Sequence, residues 1–157
     1  MKVDKGLMTV ARLIAIKKEE LEQHRLDLRR LQQLLQSAEA SLKQAEENER
    51  SFVDEMRDAQ SGSRKLDAAA MIESRRYLGV LQGLAAERRG MFDDIDKQCS
   101  LAQSELEQVF AEVRALERLA ERRRTRVSLD EKRVGYLHAD DQELTRVANK
   151  RSDHAVH

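Results

Sequence analysis

The chain of 157 residues carries 29 basic and 29 acidic side chains, so its formal net charge is zero, and it has no proline, no tryptophan and six glycines. Ala, Glu, Lys, Leu and Arg exceed half of the residues, a composition of long helices and coiled coils rather than of an enzyme that turns through several loops. The single cysteine, Cys99, excludes an internal disulfide and suits a reducing compartment, and no apolar run reaches the roughly 18 residues of a membrane span.

The first twenty residues, MKVDKGLMTVARLIAIKKEE, are apolar in patches. Arg12 interrupts them and no small-residue cleavage site follows, so the stretch reads as the start of an amphipathic helix and not as a signal peptide. The expected setting is the cytoplasm. Alternating steps of three and four from Leu7 through Val10, Ile14, Leu21, Leu28, Leu42 and Phe52 to Ala59 give sixteen positions, thirteen of them apolar, which is the heptad signature of a coiled-coil seam. Lys17, His24 and Glu49 are the polar exceptions. The spacing predicts a first helix over about 7–59. QSGSRK at 60–65 then clusters Ser and Gly, lowers helical propensity and marks a turn at about 60–66.

Asp67 stands where it can cap a second helix. A second seam runs from Met71 through Leu81, Cys99, Val109 and Val127 to Leu137, with sixteen of twenty positions apolar and no stutter. Two seams joined by one short turn predict an all-α, two-helix antiparallel coiled-coil hairpin forming a single domain over 1–157. Centring the turn near residue 63 places Leu7 opposite about residue 120, while the second helix continues to about 146. Some 25 residues of overhang, on the order of 40 Å at 1.5 Å per residue, then carry Val127, Val134, Leu137 and Leu144 with no intramolecular partner. Residues 147–157, ending RSDHAVH, lack periodicity and read as a frayed tail.

ALERLAERRRTRV (115–127) places five arginines, Arg118, Arg122, Arg123, Arg124 and Arg126, within nine positions against the single acid Glu121. Arg114, Arg118, Arg122 and Arg126 share one i, i+4 ridge, where like charges repel by a few tenths of a kcal/mol per pair. Such a block is either a solvated helix face or a surface for an acidic partner, which the planar donor fork of arginine suits. Nucleic acid fits poorly. It asks for a broad basic field with stacking aromatics, whereas 39–58 carries seven acids against three bases.

A second departure from the binary pattern is YLGVLQGLAA (77–86). Leu78, Leu81 and Ala85 belong to the seam, but Tyr77, Val80 and Leu84 do not, and Gly79, Gly83 and Gly90 fall on the outward side at a cost of about 1 kcal/mol each relative to alanine. This strip is either a weak helix segment covering its own turn or a docking groove. His24 reads as a hydrated seam layer, and His138, His154 and His157 lack the company of metal ligands. Cys99 reads as a small apolar seam residue. There is no phosphate-binding loop, no nucleophile with an evident base and no enclosed pocket to expect from two helices, so catalysis, cofactors and small-molecule substrates are not expected.

ALERLAERRRTRV, after a long heptad helix and one short turn, resembles the C-terminal signature of the FliJ family, stalk proteins of the bacterial flagellar type III export apparatus. The likeness in architecture extends over nearly the whole chain, and 115–124 is its one motif. It implies a non-enzymatic component similar to the antiparallel coiled-coil stalk of rotary ATPases, binding the hexameric export ATPase, linking it to the membrane export gate and recycling export chaperones. It places residues 7–13 and the region from Leu116 onward in the ATPase ring, with Arg118, Arg122, Arg123, Arg124 and Arg126 on its acidic side chains. It places an aromatic and a leucine four residues later against the gate. Tyr77 and Leu81 fit that spacing, with tyrosine where the family pattern has phenylalanine, and Val80 and Leu84 lie beside them. The equivalent stalk of a virulence injectisome and a homodimeric coiled-coil adaptor are the alternatives.

Overall fold

The computed structural model describes residues 4–62 and 67–155. The described residues form two α-helices and no strand: α1, Lys5–Ser61, and α2, Ala68–Ala155. Their contacts gather into two compact units, Met1–Glu20 with Val109–His157, and Leu21–Gln108, where the sequence reading expects one domain. Side chains on paired helices touch only what lies directly across the seam, so no single nucleus collects the contacts of both segments.

Both helix starts follow local rules. Asp4 caps α1: its Oδ1 accepts a hydrogen bond from the Gly6 amide at 3.0 Å, and its carbonyl accepts from the Met8 amide at 3.1 Å. Asp67 stands in the same place before α2, its carbonyl accepting from the Met71 amide at 3.0 Å and its Oδ1 making a longer contact of 3.5 Å to the Ala69 amide. At the end of α1 the Gly62 amide and the Ser61 hydroxyl both donate to the Asp58 carbonyl, at 3.1 Å each. The expected turn at 60–66 is therefore shortened at its start, since α1 runs through Ser61. Residues 63–66 lie outside the described residues.

In the unit 21–108 the buried side chains are Leu21, Leu28, Leu42 and Ala45 on α1, and Leu81, Ala85 and Cys99 on α2. Glu46 pairs with Arg89 at 2.7 Å, and the Phe52 ring meets the Tyr77 ring edge-on with centroids 4.8 Å apart. His24 Nδ1 lies 3.8 Å from the Glu105 carboxylate. As the residue number rises along α1, that of its neighbour on α2 falls.

In the unit formed by 1–20 and 109–157 the buried residues are Val10, Val109, Val113 and Ala120. The same inverse numbering holds: Lys17 pairs with Glu112 at 2.8 Å and Lys18 with Glu117 at 3.3 Å. A Cβ built on Gly6 would run into the Arg123 guanidinium, so Arg123 lies across the first turn of α1. Beyond that level α1 offers no cover. Val127 is half-buried, and from residue 128 to 155 every residue of α2 is exposed.

Two expectations change here. α2 reaches Ala155, so 147–155 is helix and not frayed tail; the segment contains no glycine or proline to stop an established helix. Ala59, expected in the seam, is exposed near the end of α1. Val134 and Leu137 are exposed, as the expected overhang has them, because α1 begins at Lys5, and the polar seam positions Arg123 and Asp130 are exposed too. No described helix is long and apolar enough to cross a membrane.

Lys17 carries a pH dependence. Its stem occupies a seam position while its ammonium reaches Glu112 at 2.8 Å and Glu20 at 3.1 Å. Hydrogen bonding to Glu112 first, and to Glu20 second, holds it above the ordinary lysine value of 10.5. A base raised on folding stabilises the fold fully below its unfolded value, and that contribution disappears as pH rises through the folded value. The melting-temperature gap between the native chain and Lys17→Gln should therefore be present at pH 9 and close above pH 10.5. A gap that widens with alkalinity contradicts the assignment.

Candidate functional site

The arginine block lies on α2 in the unit formed by 1–20 and 109–157. Val113, Leu116 and Ala120 turn toward α1 there, and helical geometry then sends Arg118, Arg122, Arg124 and Arg126 outward. All five block arginines are exposed. Two neighbouring carboxylates are committed to α1: Glu112 holds Lys17, and Glu117 holds Lys18. None of the ion pairs or hydrogen bonds among the described residues engages Arg118, Arg122, Arg123, Arg124 or Arg126. Arg118, Glu121, Arg122 and Thr125 line an open groove along this ridge. One turn earlier, Arg114 lies over the Phe110 ring, 5.6 Å from its centre. Four guanidiniums thus project into solvent, and Arg123 folds over the first turn of α1. The arrangement can receive carboxylates or phosphates in bidentate fashion.

The second surface, in the unit 21–108, is the strip after the start of α2. The structure separates the four candidate residues of this strip, Tyr77, Val80, Leu81 and Leu84. Leu81 is 7% exposed and packs in the seam, so it presents no surface to a partner. Val80 is 62% exposed and Tyr77 52%, while Leu84 is half-buried. The Tyr77 ring is in T-shaped contact with Phe52, a contact that spacing along α2 does not reveal because its partner is on the other helix. Built Cβ atoms at Gly79, Gly83 and Gly90 meet nothing within 4 Å, so these glycines leave a bare stretch of helix backbone. Nearer the turn, Met56, Ala59, Gln60, Met71, Ser74 and Arg75 line a small cleft. Ile72, 60% exposed, extends the apolar surface, and sequence reading did not single it out because it stands alone outside the heptad.

Among the described residues no group of three or more His, Cys, Asp or Glu side chains is placed to hold a metal ion. Cys99 is a free, buried seam thiol. No protein-family model matches the chain, and comparisons with curated proteins and with solved structures find no match.

Proposed function

We propose that the chain is an antiparallel two-helix coiled-coil hairpin that serves, without catalytic activity, as a stalk and coupling component of the bacterial flagellar type III export apparatus. In this reading it works in the cytoplasm, held at the inner membrane through its protein partners. The arginine end binds the export ATPase ring, the end near residues 60–66 meets the membrane export gate, and export chaperones use the same rod. Arg118, Arg122, Arg123, Arg124 and Arg126 contact acidic side chains of the ATPase. Tyr77 and Val80, with the half-buried Leu84, form the gate-facing strip, and Leu81 supports it from within.

One observation carries the reading: a block of guanidiniums without carboxylate partners, placed where α1 begins and α2 loses its cover. Leaving like charges at i, i+4 spacing costs stability, and a partner surface of opposite charge accounts for that cost. The inverse numbering of the interhelical pairs supports the hairpin. The test is titration of the protein into the flagellar export ATPase encoded in the same genome, following ATP hydrolysis and ring assembly. The native chain should stimulate both, and a variant with Arg122, Arg123 and Arg124 changed to glutamate should lose the effect while remaining helical. Equal stimulation by both chains removes the arginines from the contact. No stimulation by either folded chain removes the ATPase as partner.

A further inference from the structure

The seam of α2 does not end where α1 does. Ala120 is buried and Val127 half-buried, and the same heptad register continues through Asp130, Val134, Leu137, Asp141, Leu144, Ala148, Arg151 and Ala155, all exposed. Leu137 is 59% exposed and Leu144 69%. Helix persists through this region to Ala155. An apolar stripe in register with a buried seam has the form of half a coiled coil. Nothing from α1 blocks it: Arg123 lies across the first turn of α1, and Leu137 stands roughly 20 Å farther along α2 at 1.5 Å per residue.

The seam positions form two alternating sets: Val127, Val134, Asp141, Ala148 and Ala155 in one, Asp130, Leu137, Leu144 and Arg151 in the other. A second copy in parallel meets each set with itself, so Asp141 faces only another Asp141, a valine or an alanine. In an antiparallel pair the two sets face each other. Matching Asp141 to Arg151 then matches Leu144 to Ala148 and Leu137 to Ala155, each layer occurring twice about a two-fold axis near residue 146. Both charges meet their opposites, and every other layer sets a large aliphatic side chain against a small one, as interdigitation asks. Val147, beside the seam, lies next to its own copy at the axis, and Asp130 stays outside the overlap. The other antiparallel staggers each carry a fault. Matching Val127 to Leu137 sets Asp130 against Val134 and brings the partner's Leu144 to the level of Ala120, which α1 already covers. Matching Val134 to Leu137 sets Asp130 against Asp141. Matching Val134 to Leu144 sets both aspartates and Arg151 against apolar residues, and matching Val134 to Arg151 does the same. Matching Ala155 to Leu144 sets Arg151 against Ala148. Like charges and unpaired charges are both costly in a seam.

We infer that residues 137–155 of α2 pair with the same residues of a second copy, antiparallel, with Asp141 of each chain against Arg151 of the other. A seam whose charges complement themselves under a two-fold rotation is satisfied by an identical chain, the isologous arrangement of most homodimers. The two Asp141–Arg151 layers fix the register, the use to which isolated polar seam residues are best suited. The pairing leaves the arginine block of each copy outside it. The inference does not depend on the export-apparatus reading and can be tested without the ATPase.

Sedimentation equilibrium of the full chain over roughly 5–500 µM should show monomer giving way to dimer, since so short an interface holds its copies weakly. Asp141→Arg sets arginine against arginine, and Arg151→Asp sets aspartate against aspartate. Each should raise the dissociation constant at least about tenfold. The double reversal Asp141→Arg/Arg151→Asp should restore the native value. An equimolar mixture of the two single variants should also dimerise, because each chain complements the other. Neither side chain joins an ion pair or hydrogen bond among the described residues, so circular dichroism of every variant should be unchanged. A monomer at every concentration overturns the inference and leaves the seam to a different protein. A dimer indifferent to the single reversals overturns it as well, because another register or surface then holds the copies. So does a dimer that the single reversals weaken and the double reversal fails to restore.

Discussion

Leu81→Asp should cost the unit 21–108 about 3–5 kcal/mol, while Val80→Asp one residue earlier should leave its stability within about 0.5 kcal/mol. The contrast follows from exposure: Leu81 is 7% accessible and Val80 62%. Aspartate at 81 loses the aliphatic contacts of the seam and places an unpaired carboxylate where Ala45, Leu42 and Ala85 are also buried. Total stabilities of single domains are about 5–15 kcal/mol, so this one change should visibly lower the urea midpoint followed by circular dichroism at 222 nm. At 80 the carboxylate stays in water and only helix propensity changes. Comparable losses at both positions would mean that the strip is packed, and the outward-surface reading of Tyr77 and Val80 would fall with it. The pair also separates support from contact. In a gate-binding assay, Val80→Asp should weaken association without unfolding, whereas any effect of Leu81→Asp should track lost helicity.

The triple variant Gly79→Ala/Gly83→Ala/Gly90→Ala should raise stability by about 1.5–3 kcal/mol. Each glycine sits inside α2, where it costs roughly 0.5–1 kcal/mol relative to alanine through the backbone freedom it loses on folding. None has a positive φ that would penalise a side chain, and a Cβ at each meets nothing within 4 Å. The sites are four and seven residues apart and no built Cβ meets another group within 4 Å, so their effects should add to within a few tenths of a kcal/mol. Gly6 gives the control, because a Cβ there displaces the Arg123 guanidinium and any gain in propensity is offset by that shift. A melting temperature unchanged or lowered in the triple variant would show that another group already occupies this face. A raised melting temperature with weakened gate binding would show that the small residues are kept for close approach of a partner and not for the fold.

Much of the helical framework was legible from spacing alone, for a physical reason. A two-helix seam is one-dimensional: each position is inside or outside according to its place in a seven-residue cycle, and a sequence of unbroken heptads states that cycle openly. Among the described residues every buried one, from Val10 to Ala120, is a predicted seam position. Cys99 was correctly placed among them as a small apolar filler, and Asp67 before the second helix. The polar exceptions were legible as positions but not as contacts. Lys17 and His24 interrupt the heptad, yet that Lys17 is held between Glu112 and Glu20 depends on a helix ninety-odd residues away in the chain.

What only the tertiary structure decided concerns the ends and the partners across the seam. The continuation of α2 through 147–155 escaped periodicity because an exposed, all-round polar helix has no apolar stripe to count. Whether Arg123 is seam or surface depended on where α1 starts, since the same side chain is covered or bare according to what stands opposite it. Leu81 and Tyr77 look equivalent as an i, i+4 pair, and it was the neighbouring helix that buried one and gave the other an aromatic partner. Sequence determined the periodicity of this chain because periodicity is a property of one helix. Burial, ion pairing and bare seam were decided only in three dimensions, because each is a property of two helices and of the level at which one of them stops.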